Sequence, residues 1–85
     1  MQVHVFQCSN NSRRYGFSKE HDGANLPSNK CPGGTWEYLK SIDLNPGDRL
    51  IGGISPGVVL QKVLKDGWLL HQSGIEPEVV PQGKP

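Results

Sequence analysis

Ser55-Pro56-Gly57-Val58-Val59-Leu60-Gln61-Lys62-Val63-Leu64-Lys65-Asp66-Gly67-Trp68-Leu69-Leu70-His71-Gln72 carries the clearest structural signal in the chain. Ser55 can N-cap a helix, and Pro56 suits the first helical position, where its missing N–H removes nothing the helix would use. Leu60, Val63 and Leu64 fall at i, i+3 and i+4, and Val59 widens the stripe, so one helical face is apolar. Gln61, Lys62, Lys65 and Asp66 lie mostly outside it, and Lys65 sits where the helix dipole favours a cation. Gly67 is a natural C′ residue. Trp68-Leu69-Leu70-His71-Gln72 then reads as a strand entering the core. The spacing predicts a helix over 55–66 followed at once by a strand.

Working outward, residues 2–8 place Val3 and Val5 on one face and His4, Phe6 and Cys8 on the other. Apolar groups on both faces predict a strand at least partly covered on both sides. Ser9-Asn10-Asn11-Ser12 is a dense turn signal, and 13–18 alternates again, so 2–8 and 13–18 read as a β-hairpin. Residues 19–34 hold Asp22-Gly23, Pro27, Pro32 and Gly33-Gly34 and no surviving period. A loop that long in a compact domain is functional, packed as an Ω-loop, or disordered.

Residues 35–44 fit a strand better than a helix, because Trp36, Tyr38, Ile42 and Leu44 alternate. Asn45-Pro46-Gly47-Asp48 has the arrangement of a type II turn, returning the chain through a short strand at 49–51 that Gly52-Gly53 stops. Residues 76–85, with three prolines, read as a disordered tail. The expected fold is α+β: a small, mainly antiparallel sheet in the order β-β-loop-β-β-α-β with one helix on a face, in a single domain over 1–75. A small half-open barrel plus one helix is the alternative.

The 85 residues contain 11 Gly and 7 Pro. That is well above the average of roughly 12%, and it excludes a helical bundle, a coiled coil and a multidomain enzyme. At 9.3 kDa, about 63% of the unfolded surface is buried on folding, so the core must be thin. Nine basic residues stand against eight acidic ones, without a like-charge block. No basic stripe for duplex DNA follows from that balance. No apolar run reaches the roughly 18 residues of a membrane span. The first ten residues lack a signal-peptide pattern, so the expectation is a cytoplasmic protein, a monomer or weak dimer, with Cys8 and Cys31 as reduced, partly buried thiols.

Arg13-Arg14-Tyr15-Gly16-Phe17-Ser18, followed by Asp22-Gly23, resembles the nucleic-acid-contacting strand of cold-shock domains. That family's pattern is basic, Gly, aromatic, Gly, Phe and then an Asp-Gly turn, with an aromatic on the preceding strand where this chain has Phe6. The resemblance covers 3–23 and departs at Arg14, where the family tends to have Gly. It implies single-stranded RNA or DNA stacked on Tyr15 and Phe17, at about 1–3 kcal/mol per base, with Arg13 or Arg14 at phosphate. In a chain with six aromatics, the core competes for the same two rings.

Residues 60–74 resemble HicA-like mRNA interferase toxins, with a similar helix, an Asp-Gly-aromatic turn and a following strand. In that family the catalytic histidine follows a Gly-Ser pair. Here Gly74 is followed by Ile75 and Glu76, and His71 lies earlier, so the resemblance implies at most a degenerate relative.

Gly53, Ser55 and Gly57 before the helix form a candidate anion site, although Pro56 deletes one donor and no P-loop lysine follows. Cys8, His21 and Cys31, with His4, are the strongest metal set, without the close pairing that zinc sites show. No serine carries a nucleophile-elbow motif. The reading is a non-catalytic domain without a cofactor that binds a protein or small ligand. The candidate surface comprises the 19–34 loop (His21, Asp22, Asn25) with Trp36 and Tyr38. The nucleic-acid alternative adds Arg13, Arg14, Tyr15 and Phe17.

Overall fold

A computed structural model describes residues 1–23, 25–45, 47–51 and 54–80. Four strands form an antiparallel sheet in the spatial order β3 (Trp36–Asp43), β1 (Gln2–Cys8), β2 (Asn11–Ser18), β5 (Trp68–Gln72). The helix α1 (Pro56–Asp66) packs on one face. The α+β architecture expected from the sequence is therefore the observed one, and the sheet is open, so the half-open barrel alternative is set aside.

The helix is built as its sequence dictates. The Ser55 hydroxyl accepts the Val58 N–H at 3.3 Å, Pro56 opens the first turn, and Gly67 closes the last with its N–H on the Val63 carbonyl at 2.9 Å. Val59, Leu60 and Val63 are buried against Val3, Val5, Tyr15, Phe17 and Ile42, and Leu44 joins the same cluster. Leu64, placed in the apolar stripe by spacing, is instead exposed. Each fully buried side chain of this size is worth about 1.5–3 kcal/mol, so this face holds most of the apolar stabilisation.

The ambiguous stretch over 35–44 is a strand, paired along β1 from Gln2↔Asp43 to Cys8↔Trp36. Its register slips between Val5 and Phe6, which face Lys40 and Tyr38 and leave Leu39 as an extra residue. That bulge turns Leu39 onto the helix-side core and adds local twist. A second irregularity follows Gln7 in the hairpin: Gln7 pairs with Tyr15 and Cys8 with Asn11, so Arg13 and Arg14 lie outside the β1 ladder.

Two expectations need correction. The short strand β4 (Arg49–Ile51) does not return onto the main sheet; it pairs with β6 (Glu78–Val80) in a separate two-stranded sheet. Residues 78–80 are thus ordered rather than part of a disordered tail, because Val79 opposite Leu50 packs against the core. The Asp48 N–H bonds the Asn45 carbonyl at 3.0 Å, closing the turn there. The type II assignment depends on Pro46, which lies outside the described residues, as do the Gly52-Gly53 stop and residues 81–85. No helix among the described residues is long and apolar enough to cross a membrane.

Candidate binding surface

The second face of the sheet presents His4, Phe6 and Cys8 from β1, Gly16 from β2 and Trp36 and Tyr38 from β3. The described residues of the 19–35 loop reach across it, with Gly23 against the Phe6 ring, Leu26 over Gly16 and Cys31 at Cys8. The loop has few apolar groups to bury, so its hold on the sheet is mostly covalent and polar. A disulfide joins Cys8 on β1 to Cys31 in the loop. This corrects the expectation of two reduced thiols: the hairpin end and a far part of the loop bring the Cα atoms to 5.6 Å, inside the roughly 7 Å limit for bridging.

Around that bond the polar contacts are specific. The Ser18 hydroxyl donates to Asn25 Oδ1 at 2.6 Å, and Asn25 Nδ2 donates to the Gly67 carbonyl at 2.7 Å. Asn25 therefore ties loop, sheet and helix end together. Trp36 Nε1 donates to the Pro27 carbonyl at 3.0 Å, and Asn10 Nδ2 to the Pro32 carbonyl at 2.6 Å. Leu26 is the buried apolar anchor, seated over Gly16. A Cβ at Gly16 would stand 3.0 Å from a Leu26 methyl, so the bare backbone is what lets the loop approach.

Along the rim of this cover, side chains gather at two places. At one, His21 from the loop meets Tyr38 with ring centroids 4.8 Å apart and His4 at 5.1 Å, and Tyr38 contacts buried Phe6 edge-on at 5.4 Å. The His4 Nδ1 lies 3.4 Å from the Tyr38 hydroxyl. Tyr38 is 44% exposed, so its ring is open to a partner.

At the other place, Arg14 Nη1 donates to the Lys30 carbonyl at 2.5 Å. Two clefts flank this contact. One, of about 320 Å³, is lined by Arg14, Lys30, Leu70, His71 and Gln72. The other, of about 260 Å³, is lined by Cys8, Asn10, Asn11, Arg14 and Pro32. Neither Arg14 nor Lys30 forms an ion pair among the described residues.

The sequence-derived site residues separate accordingly. His21, Tyr38 and Arg14 reach the rim. Asp22 is exposed on the loop, and Trp36 is half-buried beneath it. Asn25 is a tie rather than a free recognition group. Arg13 is exposed, with its N–H bonded to Asn11 Oδ1 at 3.1 Å.

Tyr15 and Phe17 are 4% and 0% exposed in the helix-side core, so the stacking role implied by the cold-shock resemblance has no ring surface to use. The core claims them because Val5 and Phe17 are direct cross-strand partners, as are Gln7 and Tyr15. The metal set Cys8, His21, Cys31 and His4 fails because its thiols are spent in the disulfide. No group of three or more His, Cys, Asp or Glu among the described residues is placed to hold a metal. In the candidate anion site, the Ser55 hydroxyl serves as the helix cap, and Gly53 lies outside the described residues.

Sequence reasoning missed Lys30, Leu70 and Gln72 as cleft residues. The available signal was the absence of any Lys, Arg, Asp, Glu or Pro from Trp68–Gln72, which in a sheet-edge strand is unusual. A scan against protein-family models and searches of curated proteins and of solved structures give no match to the chain.

Proposed function

We propose that this chain is a non-catalytic binding domain that engages a protein or small ligand through the 19–34 loop and the sheet residues along its rim. The observation that carries this reading is that both clefts lie along that rim and share Arg14, beside a loop tied down at Cys31, Asn25 and Pro27. A loop fixed before binding loses little entropy when a partner docks, which favours affinity. The exposed Tyr38 ring, with His4 and His21 beside it, supplies an amphipathic contact of the kind enriched in interfaces.

The disulfide also bears on where such a domain would work. The cytoplasmic expectation rests on the lack of a signal-peptide pattern, and the reduced thiols followed from it; a structural Cys8–Cys31 bond favours an oxidising compartment.

The test is an NMR-observed screen of ¹⁵N-labelled oxidised chain against mixed peptides and small-molecule fragments. The expected hits shift amides of Arg14, Lys30, His21 or Tyr38, and lose affinity when the disulfide is reduced and capped. Hits confined to α1, or none at all, would remove the proposal.

A further inference from the structure

Strand β5 is an edge of the main sheet, and its hydrogen-bonding direction can be read from its two ends. The Lys19 N–H bonds the Gly67 carbonyl at 3.1 Å, and the Ser73 N–H bonds the Arg13 carbonyl at 2.8 Å. With the register Phe17↔Leu69 and Tyr15↔His71, the bonded positions alternate, so Gly67, Leu69, His71 and Ser73 face β2. Trp68, Leu70 and Gln72 therefore turn their N–H and C=O groups outward. No strand among the described residues pairs with that side, and no described residue bonds those groups.

The opposite edge is guarded, and this one, among the described residues, is not. Strand β3 carries Glu37, Lys40 and Asp43, a register break, and ion pairs from Lys40 to Glu76 at 2.8 Å and to Glu78 at 3.9 Å. Charges and bulges of that kind discourage pairing with another chain. Strand β5 keeps unbroken register and carries no Lys, Arg, Asp, Glu or Pro.

The 320 Å³ cleft takes in this edge strand: Leu70, His71 and Gln72 line it together with Lys30 and with Arg14, the cross-strand neighbour of Gln72. No acidic residue among the described residues lines it. Arg14 spends one nitrogen on the Lys30 carbonyl, which steadies a guanidinium whose remaining donors fit a carboxylate.

We infer that the outer edge of β5 is a strand-addition site for an extended acidic peptide, which pairs its backbone with Trp68, Leu70 and Gln72 and places a carboxylate between Arg14 and Lys30. This rests on the binding-domain reading and names its partner chemistry. Main-chain bonds along an edge give affinity without demanding sequence, and the cationic cleft adds the preference for acidic side chains.

The experiment uses the oxidised ¹⁵N-labelled chain and a hexapeptide of alternating Thr and Val that ends in two Asp. The Leu70 and Gln72 amides are expected to move downfield and to gain protection from exchange on binding. The same peptide ending in two Lys should bind at least tenfold more weakly, as should the acidic peptide against Arg14→Ala. N-methylating alternate peptide amides removes strand pairing without altering the protein and should abolish the Leu70 and Gln72 shifts. Gln72→Pro, which deletes an outward N–H and spares the bonds to β2, should weaken binding alike.

Binding of the N-methylated peptide at full strength would overturn strand addition, as would acetate or phosphate reproducing the Arg14 response with β5 silent. Shifts at Tyr38 and His21 with none at Leu70 would overturn it too, while leaving the binding-domain reading in place.

Discussion

The two faces of the main sheet are covered by different physics. On one, α1 lays Val59, Leu60 and Val63 on Val3, Val5, Tyr15 and Phe17, and the cover holds because apolar surface leaves water. On the other, an irregular loop covers Phe6 and Gly16 through Leu26, a disulfide and side-chain bonds to carbonyls at Gly67, Pro27 and Pro32. The first is a core that any well-patterned helix could supply. The second depends on a few pairings between residues far apart in sequence, and it is there that the exposed rings and the cationic clefts collect. A domain with this thin a core can spend its large side chains once, so surface available for recognition falls where the cover is made of something else.

The largest effect expected is on the helix side. Phe17→Ala should cost about 3–5 kcal/mol, because a ring with no exposure leaves a cavity, and urea denaturation should show the whole chain losing cooperativity or unfolding. Removing the disulfide as Cys8→Ser with Cys31→Ser should cost about 3 kcal/mol from loop-closure entropy, at a sequence separation of 23. Its signature should differ, with loop amides exchanging faster than those of β1 and β2.

Next is Gly23→Ala. Gly23 has φ +66°, and a Cβ there would sit 2.7 Å from the Phe6 ring. A cost of about 1–3 kcal/mol is expected from the strained backbone, together with displaced Phe6 and Tyr38 resonances and an undisturbed helix. The smallest effect expected is for Ser55→Ala, which removes the α1 cap and should cost about 1 kcal/mol in thermal denaturation, leaving the loop face unchanged. If Gly23→Ala and Ser55→Ala disturbed both faces equally, the division between them would fail.

The same division governs what could be read from the sequence. The helix and its ends were legible because Ser55, Pro56, the Leu60-Val63 stripe and Gly67 are local signals that the fold has no reason to override. Strands β1, β2 and β3 were legible for the same reason, from their alternation. Whether Tyr15 and Phe17 face the core or solvent was not, because β1 carries apolar groups on both faces and the alternation therefore picks neither. The pairing of Cys8 with Cys31 and the role of Asn25 were illegible because they arise only when a long loop closes over the sheet. Strand β6 was missed because three residues, Glu78–Val80, are too few to show a period.

The central claim is that the loop face depends on the Cys8–Cys31 tie while the helix face stands without it. Amide hydrogen exchange on the oxidised and the reduced, alkylated chain tests it directly. On reduction, the Leu26, Cys31 and Gly34 amides, each bonded within the loop in the oxidised chain, should lose nearly all protection, while those of Val5 and Phe17 should fall only by the global cost of about 3 kcal/mol. Equal loss in loop and sheet, or no change in the loop, would contradict the account.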